Sequence, residues 1–141
     1  MAPLLLSAPD GICRMIDALF NQPGYLGAKR MLDATVARHD AIAANIANAE
    51  TPHYKRMDLA PAFGTELKHA LASQDAGRLA SLRPELAVDS KALPGNRDGN
   101  TVNLEHELVE LSQNSLQHAV ESQLVSSSLL KLRLAITGKS A

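Results

Sequence analysis

Apolar residues recur in two stretches of this chain at alternating steps of four and three. Over 27–50, Leu32, Val36, His39, Ala43 and Ile46 mark one such seam, widened on one side by Met31, Thr35 and Ile42. That spacing predicts a helix with one face turned to a partner. Lys29, Arg30, Asp33, Arg38 and Asp40 fall outside the seam and are expected on the wet face. Thr51 precedes Pro52 and is pushed out of the α region, so the helix ends at or before Glu50. Over 102–138 a longer seam passes through Leu104, Leu108, Leu111, Ser115, His118, Ser122, Val125, Leu129, Leu132 and Ile136. Asn100 or Thr101 is expected as its cap, and Gly138 closes it, with Lys131, Arg133 and Lys139 near the negative end of the dipole. A second stripe, Val109, Leu116, Ala119 and Leu130, lets this helix face more than one neighbour.

The remaining stretches lack such periodicity. Over 51–101 a weak helix with Phe63, Leu67, Ala70 and Leu71 on one side is expected. After Gln74 the chain turns polar and is interrupted by Gly77, Pro84 and Pro94-Gly95-Asn96. Leu86, Val88 and Leu93 are too few to build a core of their own, so this segment is expected to be irregular and partly disordered. Over 1–26, Ile12, Met15, Ile16, Leu19 and Phe20 predict a short amphipathic helix in a flexible extension, broken by Asn21-Gln22-Pro23-Gly24. Met1 and Met15 would each serve as a translation start.

The expected fold class is therefore all-α, with the N- and C-terminal helices pairing as an antiparallel coiled-coil hairpin around a long, partly disordered middle segment. At ~1.5 Å per residue the first helix spans roughly 30 Å and the second roughly 50 Å, so a hairpin leaves part of the longer seam uncovered. Two helices alone bury too little to offset their ordering entropy. The missing surface is expected to come from copies or relatives of the same chain.

Composition narrows the function classes. Among 141 residues there are two Phe, two Tyr and no Trp, which suits seams better than a rounded core. The net charge of -1 argues against nucleic-acid or membrane-surface binding driven by bulk charge. Cys13 is the only cysteine, which excludes an intramolecular disulfide and a cysteine metal cluster. No apolar run approaches the ~20 residues of a membrane helix, and Met1 to Pro9 lacks the basic region of a secretory signal.

Candidate chemistry is thin. His106-Glu107-Leu108-Val109-Glu110 begins like a zinc-protease helix, but position 110 carries Glu where a second His is needed. His39, His53, His69, His106 and His118 show no ligand spacing. His39 and His118 occupy seam positions and would lie close in a hairpin, beside Ser115 and Ser122. A register-fixing polar layer and a pH-sensitive joint are the two readings. No nucleophile elbow or phosphate-cradling loop occurs. No enzyme, cofactor, metal, nucleic acid or small-molecule substrate is expected.

The end of the first helix is the most distinctive stretch. Asn45 and Asn48 are three apart and so share a helix face, with small residues at 43, 44, 47 and 49. They read either as amides bridging adjacent helices or as a frayed, solvated terminus. Asn45-Ile46-Ala47-Asn48-Ala49-Glu50-Thr51-Pro52-His53-Tyr54 resembles the N-terminal motif of the flagellar basal-body rod family, in which the residue before the tyrosine is usually Gly. His53 stands there instead, so the turn is made without a glycine's freedom at φ > 0. Lys55-Arg56-Met57-Asp58 continues the match. Asp98-Gly99-Asn100-Thr101-Val102-Asn103-Leu104-Glu105 and Glu110-Leu111-Ser112-Gln113-Asn114-Ser115-Leu116 resemble the start of the C-terminal helix in the family's proximal subunit. The resemblance covers about 28–58 and 97–138, both ends of the chain and not its middle.

The resemblance implies a structural subunit of the rod, whose terminal helices pack as coiled coils in the tube wall. It implies an assembly motif of Asn45, Ile46, Ala47, Asn48, Thr51, Pro52 and Tyr54. The implied partners are other copies of the chain, other rod subunits, ring adaptor and membrane ring proteins, and the type III export apparatus. The implied place is the periplasmic rod of the basal body, reached without a cleaved signal peptide. Another flagellar axial subunit and an unrelated coiled-coil scaffold are the alternatives.

Overall fold

The structure, a computed structural model, describes residues 20–94 and 98–138. The short helix expected near residues 12–20, with Cys13 and Met15, falls outside them except for Phe20. The element order is α1 (Pro23–Ala47), β1 (Met57–Leu59), α2 (Pro61–Ala72), α3 (Ala76–Ser81), β2 (Leu86–Val88) and α4 (Leu104–Thr137). The chain is mostly helical.

Each helix starts and stops for local reasons. Pro23, expected to lie in a break, instead opens α1 at its first turn. Its fixed φ suits that position, where its missing N–H would have no partner anyway. Phe20 meets Tyr25 edge-to-face at 5.7 Å beside this start. The cap of α4 is Asn103, whose side chain accepts from the His106 amide, rather than Asn100 or Thr101. Gly138 ends α4 at φ 64, and its N–H returns to the Leu134 carbonyl.

α1 and α4 run antiparallel, since Asn45 meets Glu107, Arg38 meets Glu110, and Thr35 meets both Asn114 and His118. The faces that meet differ from the expected seams. On α1 the buried residues include Arg30, Ala34, Thr35, Ala41, Ile42 and Asn45, and on α4 they include Glu107, Asn114 and Glu121. Of the seam residues, Leu32, Leu111, Val125 and Leu132 are half-buried, whereas Val36, His39, Ala43, Leu104, Leu108, His118 and Leu129 are exposed. The seams flank the intramolecular contact. A polar network described below occupies its centre, and a buried network fixes the rotation of both helices.

The middle segment also departs from expectation. Residues 51–101 contain β1, α2, α3 and β2, with β1 and β2 antiparallel in the register Met57↔Val88, Asp58↔Ala87 and Leu59↔Leu86. Its apolar residues are indeed few, but the core they join is shared. Phe63, Leu67 and Ala70 of α2 and Leu79 of α3 pack with Leu26 and Ala34 of α1. Arg30, expected in water, is buried here and donates from Nε to the Leu79 carbonyl and from Nη2 to the Ala80 carbonyl, both at 2.8 Å. It thereby caps the open carbonyls of α3, a favourable place for a cation. Gly27 permits the close approach of α2, because a Cβ there would meet Leu71 Cδ2 at 2.5 Å.

Candidate assembly site

Asn48 closes α1 on itself. Its Nδ2 donates to the Ala44 carbonyl at 2.8 Å, and its Oδ1 accepts from the Thr51 hydroxyl at 3.2 Å. Asn45, one turn earlier and fully buried, works across elements. Its Nδ2 donates to the Met57 carbonyl at 2.8 Å and to Glu107 Oε2 at 3.0 Å, and its Oδ1 accepts from the Met57 amide at 2.9 Å. The two amides expected to bridge helices together therefore divide the work. Only Asn45 joins α1, β1 and α4, with both amide N–H groups and the amide oxygen engaged.

After Asn48 the chain must turn sharply to reach β1. His53 makes that turn at φ 61, the left-handed region in which glycine is the usual residue. Its amide donates to the Asp98 carbonyl at 3.1 Å, and its ring packs over Gly99, where a Cβ would lie 3.1 Å from Nδ1. Gly99 has φ 75, so two left-handed residues face each other at this crossing. Asn100 then locks the turn. Fully buried, it donates from Nδ2 to the carbonyls of Asn48, Ala49 and Thr51 at 3.0, 3.0 and 2.8 Å, and its Oδ1 accepts from the Val102 amide at 2.7 Å. Carbonyls left over at the end of α1 are thus satisfied by the segment entering α4. Of the motif residues, Ile46, Asn48 and Tyr54 are half-buried, and Ala47, Thr51 and Pro52 are exposed.

Beneath the turn lies a chain of ion pairs. Arg56 Nε donates to Glu107 Oε1 at 2.6 Å, and its Nη1 reaches Asp58 at 3.0 Å and Asp89 at 2.7 Å. Arg38 continues from Asp58 at 3.1 Å to Glu110 at 2.7 Å. Glu107 is completely buried and is held by Arg56 and Asn45 together. Burial works against the Arg56 charge, but its bonds to Glu107 and Asp58 outweigh that and hold its pKa above the usual arginine value. Burial likewise pushes the Asp58 carboxyl up. The Leu59 amide, then Arg38 and Arg56, prevail and hold it below the ordinary carboxylate value.

Motif residues were legible in the sequence, but the network that joins Arg56, Glu107, Asp58, Asp89, Arg38 and Glu110 and the clamp role of Asn100 were not. One signal was available: Glu107, Asn114 and Glu121 recur at heptad spacing, a polar stripe one step away from the apolar seam. His39, His118 and Ser115 line one cleft of about 260 Å³ with Thr35, Val36 and Asn114, and the Thr35 hydroxyl lies 3.2 Å from His118 Nδ1. Ser122 does not line it. Among the described residues no group of three His, Cys, Asp or Glu is placed to hold a metal. The network's carboxylates and guanidiniums are spent on one another, so the arrangement transmits position and supplies no reactive group.

On the far side of α4 the surface is apolar. Val109, Leu116 and Val120 are exposed along the face opposite Glu107, Asn114 and Glu121, with Leu130 further along it, and Leu124 is exposed on the flank.

No family model matches the chain. Similar curated proteins do. The flagellar basal body rod protein FlgB of Aquifex aeolicus is 31% identical over 79% of this chain and 90% of its own length. FlgB of Cereibacter sphaeroides is 33% identical over 72% of this chain and 84% of its own length. FlgB of Salmonella typhimurium is 29% identical over 76% of this chain and 88% of its own length. At 31–33% identity over most of both chains, the chain belongs to the flagellar basal body rod protein FlgB family.

Proposed function

We propose that this chain is a structural subunit at the proximal end of the bacterial flagellar rod, polymerising into the shaft that carries torque. The observation that carries this reading is the inverted distribution of polarity on α4. Its inner face holds Glu107, Asn114 and Glu121, while Leu116 and Val120 on its outer face are 68% and 61% exposed. A helix that uses polar groups inside and keeps apolar groups outside is built to be completed by neighbours. The flanking seams then pair with neighbouring helices as coiled coils, and the Asn45–Arg56–Glu107 network sets the angle at which each subunit offers them.

In this reading the neighbours are other copies, other rod subunits, and the ring adaptor and membrane ring proteins. The subunit reaches the periplasmic rod through the type III export apparatus without a cleaved signal. Leu129→Asp and Leu111→Asp test the seam, with motility and purified basal bodies as readouts. Both variants are expected to be synthesised and to leave cells non-motile, with rods missing. Wild-type swimming by Leu129→Asp, the more exposed position, would overturn the seam model.

A further inference from the structure

A second cleft lies beside the α1–α4 contact and is lined from α1, β1, α2 and α4. It holds about 130 Å³, and Met31, Ala34, Leu59, Phe63 and Leu67 form its apolar walls. Glu121 of α4 also lines it. This residue is only 7% exposed, and its Oε2 is buried with no hydrogen-bond partner among the described residues. A carboxylate in such a place is costly unless a cation meets it. Arg38 also borders the cleft, but its guanidinium is spent on Asp58 and Glu110. His118 is the other basic group near Glu121, and its Nδ1 is engaged with Thr35. The adjoining network has little positive charge to spare, since Asp58, Asp89, Glu107 and Glu110 share the two guanidiniums of Arg38 and Arg56, with the His106 ring 3.8 Å from Glu110.

From this geometry we infer that the cleft between α1, α2 and α4 receives a lysine side chain presented by a neighbouring protein, with Glu121 as its counter-ion. The chemistry fits lysine in particular. Its methylene stem is apolar and matches Met31, Ala34, Leu59, Phe63 and Leu67, and its ammonium is a compact point charge suited to the single carboxylate that lines the cleft. Burial pushes the Glu121 carboxyl above the ordinary carboxylate value, with Thr35 and His118 opposing only in part. An ammonium in the cleft would reverse that shift and fill the role left empty at Oε2. The proposal rests on the subunit reading only for who presents the lysine. The pocket itself belongs to the isolated chain.

The probe is n-butylammonium, titrated into the full chain at pH 7 and followed by the Met31 methyl and Glu121 carboxyl carbon signals in NMR. Saturable shifts of both signals are expected. Binding of n-butanol to the wild type, and of n-butylammonium to Glu121→Gln, is expected to be at least tenfold weaker. Equal binding of butanol would reduce the site to an apolar crevice and overturn the proposal, as would absence of saturation. The butanol comparison uses only wild-type protein and so stands whatever the variant's folding. A motile Leu129→Asp strain would sink the assembly reading and leave this titration unaffected.

Discussion

The inner and outer faces of α4 invert the usual order of a globular helix. Against α1 it buries Glu107, Asn114 and Glu121, while Val109, Leu116 and Val120 stand in solvent. The small apolar core sits elsewhere, where α2 and α3 close on Leu26 and Ala34. The difference teaches that the two long helices meet to define an angle more than to bury area. Ion pairs and amide bonds are directional and therefore set rotation and register, whereas apolar contact is proportional to area and indifferent to direction. The subunit keeps the directional contacts for itself and leaves apolar area for its neighbours.

The sharpest way to break this contrast is to unbalance the inner face. Arg56→Met strands the completely buried Glu107, and a loss of roughly 3–5 kcal/mol in urea unfolding is expected. Adding Glu107→Leu should recover much of that loss while altering rod incorporation, because the charge is then gone but so is the angle. A loss below about 1 kcal/mol in the single variant would mean that the network does not hold the hairpin. Asn100→Ala is the next largest: the carbonyls of Asn48, Ala49 and Thr51 lose their donor, with an expected cost of about 1–3 kcal/mol by the same measurement.

Acid should separate two carboxylates of the same interface. Asp58 has a folded pKa below its unfolded one, so its stabilisation is present above the unfolded value and fades as pH falls through the folded one. Glu121 is shifted the other way, so its charge opposes folding at neutral pH and protonation relieves it. Glu121→Gln is therefore expected to raise the melting temperature at pH 7, with the gain shrinking towards acid. Asp58→Asn should lower it at pH 7 and flatten the acid limb. Melting curves between pH 3 and pH 8 check both, and a Glu121→Gln gain independent of pH would refute the assigned direction.

The smaller effects test the turn and the outer face. His53→Gly removes a left-handed penalty of about 1–2 kcal/mol. Glycine's greater unfolded-state entropy offsets part of this, so a net gain near 0.5 kcal/mol is expected. A loss instead would show that the ring's packing over Gly99 outweighs the backbone strain. Leu116→Asp, 68% exposed, should change the stability of the free subunit by no more than about 0.5 kcal/mol while abolishing motility. A large destabilisation of the free chain would place Leu116 inside it and erase the contrast between the faces.

Parts of this were legible early because they depend on neighbours in sequence. The two long helices, the stop before Pro52 and the closing Gly138 follow from spacing and local backbone chemistry, and the motif from Asn45 to Tyr54 was readable residue by residue. Arg30 and Phe63 show where that reading failed. Arg30 lies among charged residues on its helix and looks solvated, yet it donates to carbonyls 49 and 50 positions away. Phe63 and Leu67 were read only as one side of a weak helix, but with Leu79 they complete a core that Leu26 and Ala34 of α1 begin. His53, unexplained in the motif, proves to hold the glycine's conformation without being glycine.

The sequence by itself determined that the chain has two long helices, which turns end them and that apolar surface remains to be covered, because helix periodicity and caps are decided within a few residues. Only the tertiary structure decided which face of each helix turns inward. Spacing marks an apolar stripe but cannot say whether its partner lies in the same chain or the next. That choice was made by groups far apart in sequence, Asn45 and Arg56 closing on Glu107 and Asn100 clamping the end of α1, whose desolvated hydrogen bonds tolerate one arrangement of the helices.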